Sequence, residues 1–228
     1  MSIITATNLT RSFTLGSVTE HVLRGVSLTV ATGEFLGIMG KSGAGKSTLL
    51  YQLSALDTPN SGDLVIDGVC ISKLSEHART QFRLHTLGFV FQDYALVPDL
   101  SAEENVVIPL LMKGIAWSEA TDKARAAIDA VDMAGKYRNL PNELSGGEQQ
   151  RIAIARAVAG EPKILFADEP TANLDTVSGQ MVIDLLTTIH QTQKQTIVMV
   201  THEREYADSC DRIVHMEDGA IVHQEQLR

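Results

Sequence analysis

Cysteine is nearly missing from this chain of 228 residues: there are two, Cys70 and Cys210, far apart in sequence. Two distant thiols make neither a disulfide framework nor a zinc-ligand spacing, so both read as packing residues. Long apolar runs are missing too. A membrane-spanning helix needs ~20 apolar residues, and the longest candidates, Val106–Met112 and Thr196–Val200, fall far short. The segment Met1–Thr10 lacks a basic stretch followed by an apolar one, so no secretory leader is expected. Positive charge is in deficit: 19 Lys and Arg stand against 28 Asp and Glu, a formal net charge of −9. An acidic surface repels a phosphate backbone and disfavours nucleic acid as a partner. No internal repeat, low-complexity segment or long linker interrupts the chain. These absences lead to the expectation of a cytoplasmic protein, for which any membrane role must be borrowed from a partner.

What is present fits one large α/β domain with a real core; hydrophobic residues make up 44% and charged residues 21% of the chain. Short β-branched runs recur. Ile3–Leu9, Val26–Val30, Phe35–Met39, Leu64–Asp67, Leu87–Phe91, Ile164–Ala167, Thr196–Val200, Arg212–Met216 and Ala220–Val222 read as strands. Between them lie helical patterns. Leu49, Leu50, Leu53 and Leu56 fall on one face after Lys46; Ile152, Ala155, Arg156 and Ala159 follow Gly147; Val182, Leu185, Leu186 and Ile189 follow Asp175. Strand–helix–strand alternation implies a mainly parallel sheet with helices on both faces. The stretch from about Leu96 to Leu140 reads as helices only and is assigned to a helical subdomain. The first ~30 residues and Gly62–Val69 look like antiparallel strands with Gly turns. The expected division is a core of about residues 1–95 and 141–228 with helices at about 96–140.

Phe35–Met39 runs into Gly40-Lys41-Ser42-Gly43-Ala44-Gly45-Lys46-Ser47, which matches GxxxxGK[ST] and is followed at once by a helical pattern. Glycines there let the backbone wrap so that several N–H groups point at one anion, and the helix adds its positive end. Lys46 supplies a mobile charge for the β- and γ-phosphates, and the Ser47 hydroxyl suits Mg²⁺. Thr48 is assigned near the α-phosphate. The strand Ile164–Ala167 ends in Asp168-Glu169. An Asp at such a strand end holds Mg²⁺, and a following Glu polarises water for in-line attack. Two adjacent carboxylates on a turn are common; it is the phosphate loop that gives this pair its meaning.

Leu144-Ser145-Gly146-Gly147-Glu148-Gln149-Gln150-Arg151 precedes that strand and opens a helix. Ser-Gly-Gly-Glu serves equally as a helix cap or as a second anion cradle. The string resembles the signature motif of the ABC ATPases, and the resemblance runs from about residue 3 to residue 222. Gln92 matches the family's Q-loop, Ala172-Asn173-Leu174-Asp175 its D-loop, and His202 its switch histidine. Phe13 falls where the family stacks an aromatic on adenine. The fold this implies is α/β: a P-loop NTPase with a mixed, mostly parallel core, a small antiparallel β subdomain and a helical subdomain.

The resemblance implies ATP and Mg²⁺ as cofactors and a head-to-tail homodimer. Each ATP would lie between one phosphate loop and Ser145, Gly146, Gly147 and Glu148 of the other copy. Glu169 would be the general base, His202 a γ-phosphate contact, and Lys46 a further catalytic group. Gln92 would sense Mg²⁺ and water beside Ser47 and Asp168, and Asp175 would communicate between sites. Gly40, Lys41, Ser42, Gly43, Ala44, Gly45, Lys46, Ser47 and Thr48 would bind nucleotide. Two departures stand out. Lys41 replaces the family's usual Pro, which leaves it either a phosphate contact or an exposed loop lysine. Phe13 replaces the commoner Tyr.

Phe91–Pro98, Leu100–Val106 and Asp168–Asp175 look like the LolD/MacB/FtsE group. There the ATPase works with a permease of few spans and a large external domain, so an FtsX-, MacB- or LolC/E-like partner is implied. Two other readings stay open: an FtsE-like force transmitter, and a soluble ABC protein without transport. The place implied is the cytoplasmic face of a bacterial inner membrane.

Overall fold

The computed structural model describes residues 1–228. Ten strands and seven helices alternate along the chain. They are β1 (Ser2–Leu15), β2 (Val18–Ala31), β3 (Phe35–Gly40), α1 (Lys46–Leu53), β4 (Ser61–Ile66), β5 (Val69–Cys70), α2 (Glu76–Thr86), β6 (Leu87–Val90), α3 (Ala102–Met112), α4 (Trp117–Ala130), α5 (Gly146–Val158), β7 (Ile164–Asp168), α6 (Thr176–Gln193), β8 (Thr196–Val200), α7 (Arg204–Ala207), β9 (Arg212–Glu217) and β10 (Ala220–Gln226).

Two sheets form. One is antiparallel, in the order β2-β1-β4-β5; the other runs β10-β9-β3-β8-β7-β6. In the larger sheet all neighbours are parallel except β10, which returns against β9. The central strands read as unbroken apolar runs because both faces are covered. Their alternation divides the core in two. Leu36, Ile38, Phe166, Val198 and Val200 face α1 and the antiparallel sheet. Phe35, Met39, Leu165, Ala167, Ile197 and Met199 face the layer built by α3 to α6.

The hairpin β1–β2 is longer than the sequence pattern suggests. It turns at Gly16-Ser17, with Leu15 opposite Val18. Helix α1 is shorter than its Leu pattern: it ends at Leu53, and Leu56 lies beyond it, largely exposed. Cys210 is buried, and burial pushes its thiol well above the ordinary range; Cys70 is half-buried on β5. Neither pairs.

Helix ends follow local chemistry. Ser101 caps α3 and Ser145 caps α5, each in a reciprocal box with the Glu three residues on. No helix is long and apolar enough to cross a membrane.

Candidate active site

Strand β3 delivers the chain into the loop Gly40–Gly45, and α1 begins at Lys46. Two of its glycines are forced by space. A Cβ on Gly45 would lie 2.8 Å from the Val22 carbonyl oxygen, and Gly45 also sits at φ +93°. A Cβ on Gly40 would collide with the Met216 carbonyl. The loop is thus pressed against β2 and β9 and its shape is fixed from both sides. No side chain caps α1, so its first N–H groups stay free for an anion.

A cavity of about 830 Å³ opens over this loop. It is lined by Gly40, Lys41, Ser42, Gly43, Gly45, Lys46, Ser47 and Thr48, and by Glu169 and His202. Ala44 is the one loop residue that faces away, into the core. The Lys46 ammonium, nearly buried, donates to the Lys41 carbonyl at 3.1 Å and lies 4.0 Å from Glu169 Oε1. His202 Nδ1 lies 3.3 Å from Glu169 Oε2. Glu169 holds a left-handed backbone, φ +43°, directly after β7, with its N–H bonded to the Val200 carbonyl at 3.0 Å. A non-glycine residue in that region is under strain, and this one aims its carboxylate back over the loop.

Asp168, the last residue of β7, is buried behind Ser47 and outside the lining, and it accepts the Ser47 hydroxyl at 3.0 Å on Oδ1. Burial raises its carboxyl above the usual range, opposed by the hydrogen bonds of Tyr51 and Ser47. A hydroxyl and a carboxylate side by side, with no nitrogen or sulfur donor, suit a hard divalent cation such as Mg²⁺.

The other expected residues lie outside the cavity. Phe13 is exposed on β1, with the Arg11 guanidinium 4.6 Å over its ring. It stands opposite Glu20, which does line the cavity, so the two share a face of the hairpin. Gln92 is exposed, and its carbonyl accepts Asn173 Nδ2 at 3.0 Å. The following loop is strapped by Arg156, which donates to the Tyr94 carbonyl at 2.8 Å and to that of Ala95. Ser145, Gly146, Gly147 and Glu148 start α5, and Asp175 caps α6 by accepting the Ser178 N–H at 3.0 Å. The amide and hydroxyl of Ser178 hold the Asp175 carboxyl below its usual range.

Four cavity residues escape motif reading: Glu20 and Val22 on β2, Met39 on β3 and His215 on β9. Tyr51 escapes it too. One turn after Ser47, its phenol faces Asp168, and burial together with that carboxylate pushes it up to about 12. The only signal for Tyr51 is its i+4 spacing from Ser47. His215 and Val22 are signalled by nothing short of the sheet register.

The "ABC transporter" family model matches residues 23–172. The lipoprotein-releasing system ATP-binding protein LolD of Aquifex aeolicus (strain VF5) is 46% identical over 202 residues, 89% of this chain and 90% of that one. The macrolide export ATP-binding/permease protein MacB of Brucella abortus (strain 2308) is 41% identical over 215 residues, 94% of this chain but 33% of that longer one. Among solved structures, the dimeric post-hydrolysis state of the ATP-binding cassette MJ0796 with ADP and Pi superposes with a TM-score of 0.92 at 37% identity, covering 99% of both chains. The chain belongs to the ABC transporter family and is an ATP-binding, ATP-hydrolysing cassette. Within that family it is an ATP-binding subunit of the LolD/MacB type.

Proposed function

We propose that this chain powers a separate membrane permease by closing and opening a two-copy ATP sandwich. One observation carries the reading. The cavity gathers Lys46, Glu169 and His202, whereas Ser145–Glu148, the second anion cradle, is not among its lining. One copy therefore offers half a site, and a second copy in head-to-tail contact supplies the other half.

In this reading the phosphates rest on Gly40–Thr48 and the N-terminus of α1, with Lys46 neutralising charge. Glu169 takes a proton from water, and His202 orients the carboxylate and meets the terminal phosphate. Ser47, Asp168 and Gln92 would hold Mg²⁺, which neutralises the phosphate charge that develops in transfer. Phe13, backed by Arg11, offers a ring face to the base. Ser145, Gly146, Gly147 and Glu148 close over the partner copy's nucleotide, and Asp175 at the start of α6 lies toward the same junction. ATP does work only through its different affinity for the closed and open dimer. The whole chain acts as one ATPase domain, with the helical part at about residues 96–140.

The permease is of FtsX, MacB or LolC/E type, at the cytoplasmic side of a bacterial inner membrane. The cargo is a lipoprotein, a peptide or a drug. The LolD and MacB relatives support this class by their names, lipoprotein release and macrolide export. An FtsE-like force transmitter would use the same motor with no cargo.

The test is a pull-down from detergent-solubilised membranes with tagged Glu169→Gln protein and ATP. Recovery of a permease with few spans and a large external domain supports the proposal, and that domain names the cargo class. Recovery of soluble partners alone refutes the transport reading. Phosphate release that rises with an added external cargo separates transport from force transmission.

A further inference from the structure

Lys41 makes no ion pair, yet it lines the cavity and its side chain is exposed. Its carbonyl accepts the Lys46 ammonium at 3.1 Å, so its backbone is fixed beside the residue that meets the terminal phosphates. The same ammonium lies 4.0 Å from Glu169, which puts the Lys41 backbone at the hydrolytic end of the cavity. Charge sharpens the point. The lining carries two carboxylates, Glu20 and Glu169, and two ammonium groups, Lys41 and Lys46. Without Lys41 the lining would hold a net negative charge against a polyanionic ligand.

We propose that Lys41 is a second phosphate-directed cation, aimed at the terminal phosphate, that sets the preference of this site for ATP over ADP. The inference rests on reading the cavity as the ATP site. A lysine suits this role because its ammonium is a compact charge on a flexible four-carbon stem, able to follow a phosphate that is present in substrate and absent from product. Charge-assisted hydrogen bonds of this kind are among the stronger polar contacts. A site that releases ADP more readily than ATP reopens without being trapped by its product.

The experiment is equilibrium titration with ATP and ADP in the Glu169→Gln background, where ATP is not consumed. Lys41→Gln should weaken ATP about tenfold and ADP no more than about threefold. Lys41→Arg should keep both within about twofold of the parent. The loss in Lys41→Gln should shrink as salt rises, because the contact is partly solvent-exposed. Equal effects on ATP and ADP, or none on either, overturn the inference. Lys46→Ala separates this from failure of the site itself. If Lys46→Ala loses nucleotide while Lys41→Gln behaves as the parent, only the role of Lys41 falls. If Lys46→Ala binds normally, the cavity reading falls and the inference with it. Matching melting temperatures establish that each variant is folded.

Discussion

His202 Nδ1 lies 3.3 Å from one oxygen of Glu169, and the Lys46 ammonium lies 4.0 Å from the other. The carboxylate is thus held between two nitrogen groups on different elements, β8's exit and α1's start. Glu169→Gln should cut phosphate release about a hundred- to ten-thousand-fold while ATP still binds. Phosphate release and nucleotide titration on one preparation check both halves. Retained hydrolysis would remove Glu169 from the role of base.

Metal removal should act through Asp168 and Ser47. EDTA should stop phosphate release, and added Mg²⁺ should restore it. Asp168→Asn should raise the Mg²⁺ needed for half-maximal rate by more than about tenfold, since even outer partners of a metal site cost that much. An unchanged Mg²⁺ midpoint would place the cation elsewhere.

Ser145 has a structural role that a small substitution isolates from its proposed place in the nucleotide sandwich. It caps α5, accepting the Glu148 N–H at 3.3 Å. Ser145→Ala should cost about 1 kcal/mol and lower the melting temperature by about 2–4 °C in a domain of this size. Thermal unfolding measures it, and an unchanged midpoint would mean that the cap carries no stability.

Glu225 gives a pH dependence beside the cavity, since His215 of the lining lies 3.6 Å from its carboxylate. Arg204 donates to both its oxygens, at 2.6 and 2.7 Å, and holds its carboxyl down to about 2. A folded-state value below the unfolded one, 4.5 for a free Glu here, gives stability that is present above pH 4.5 and lost as pH falls towards 2. Glu225→Gln should therefore flatten the acid slope of the melting temperature between these values, with its lowering of the melting temperature greatest at pH 7 and least near pH 2. The pair is exposed, so the effect is small and fades in salt. An identical acid slope in both proteins would contradict it.

Much of this molecule is legible in its residues. Strands β3, β7 and β8 are apolar on both faces, which is why they read as unbroken runs and why their ends stand out as phosphate loop, acidic pair and switch histidine. Glycine spacing marks Gly40–Lys46 because only glycine fits against Val22 and Met216. The far wall is illegible for the opposite reason. In β2 the segment Val18–His21 is exposed and carries no apolar alternation, so the hairpin tip that brings Glu20 over the loop leaves no periodic trace, unlike the strands below it. His215 enters the site only because β9 lies beside β3, with His215 opposite Met39. Adjacency across a sheet is a property of topology, and a histidine in a strand does not announce it. Helix α2 leaves a weak signal because none of its residues is fully buried and Phe82 alone among them packs against a core.

The central claim is that one copy holds half a site. Light scattering of Glu169→Gln protein with and without ATP tests it most directly. The account predicts that ATP doubles the mass from the 24.7 kDa of one chain, and that adding Ser145→Arg abolishes the doubling while ATP still binds. A Glu169→Gln protein that binds ATP and stays at the mass of one chain, or that doubles equally well with Ser145→Arg, would contradict it.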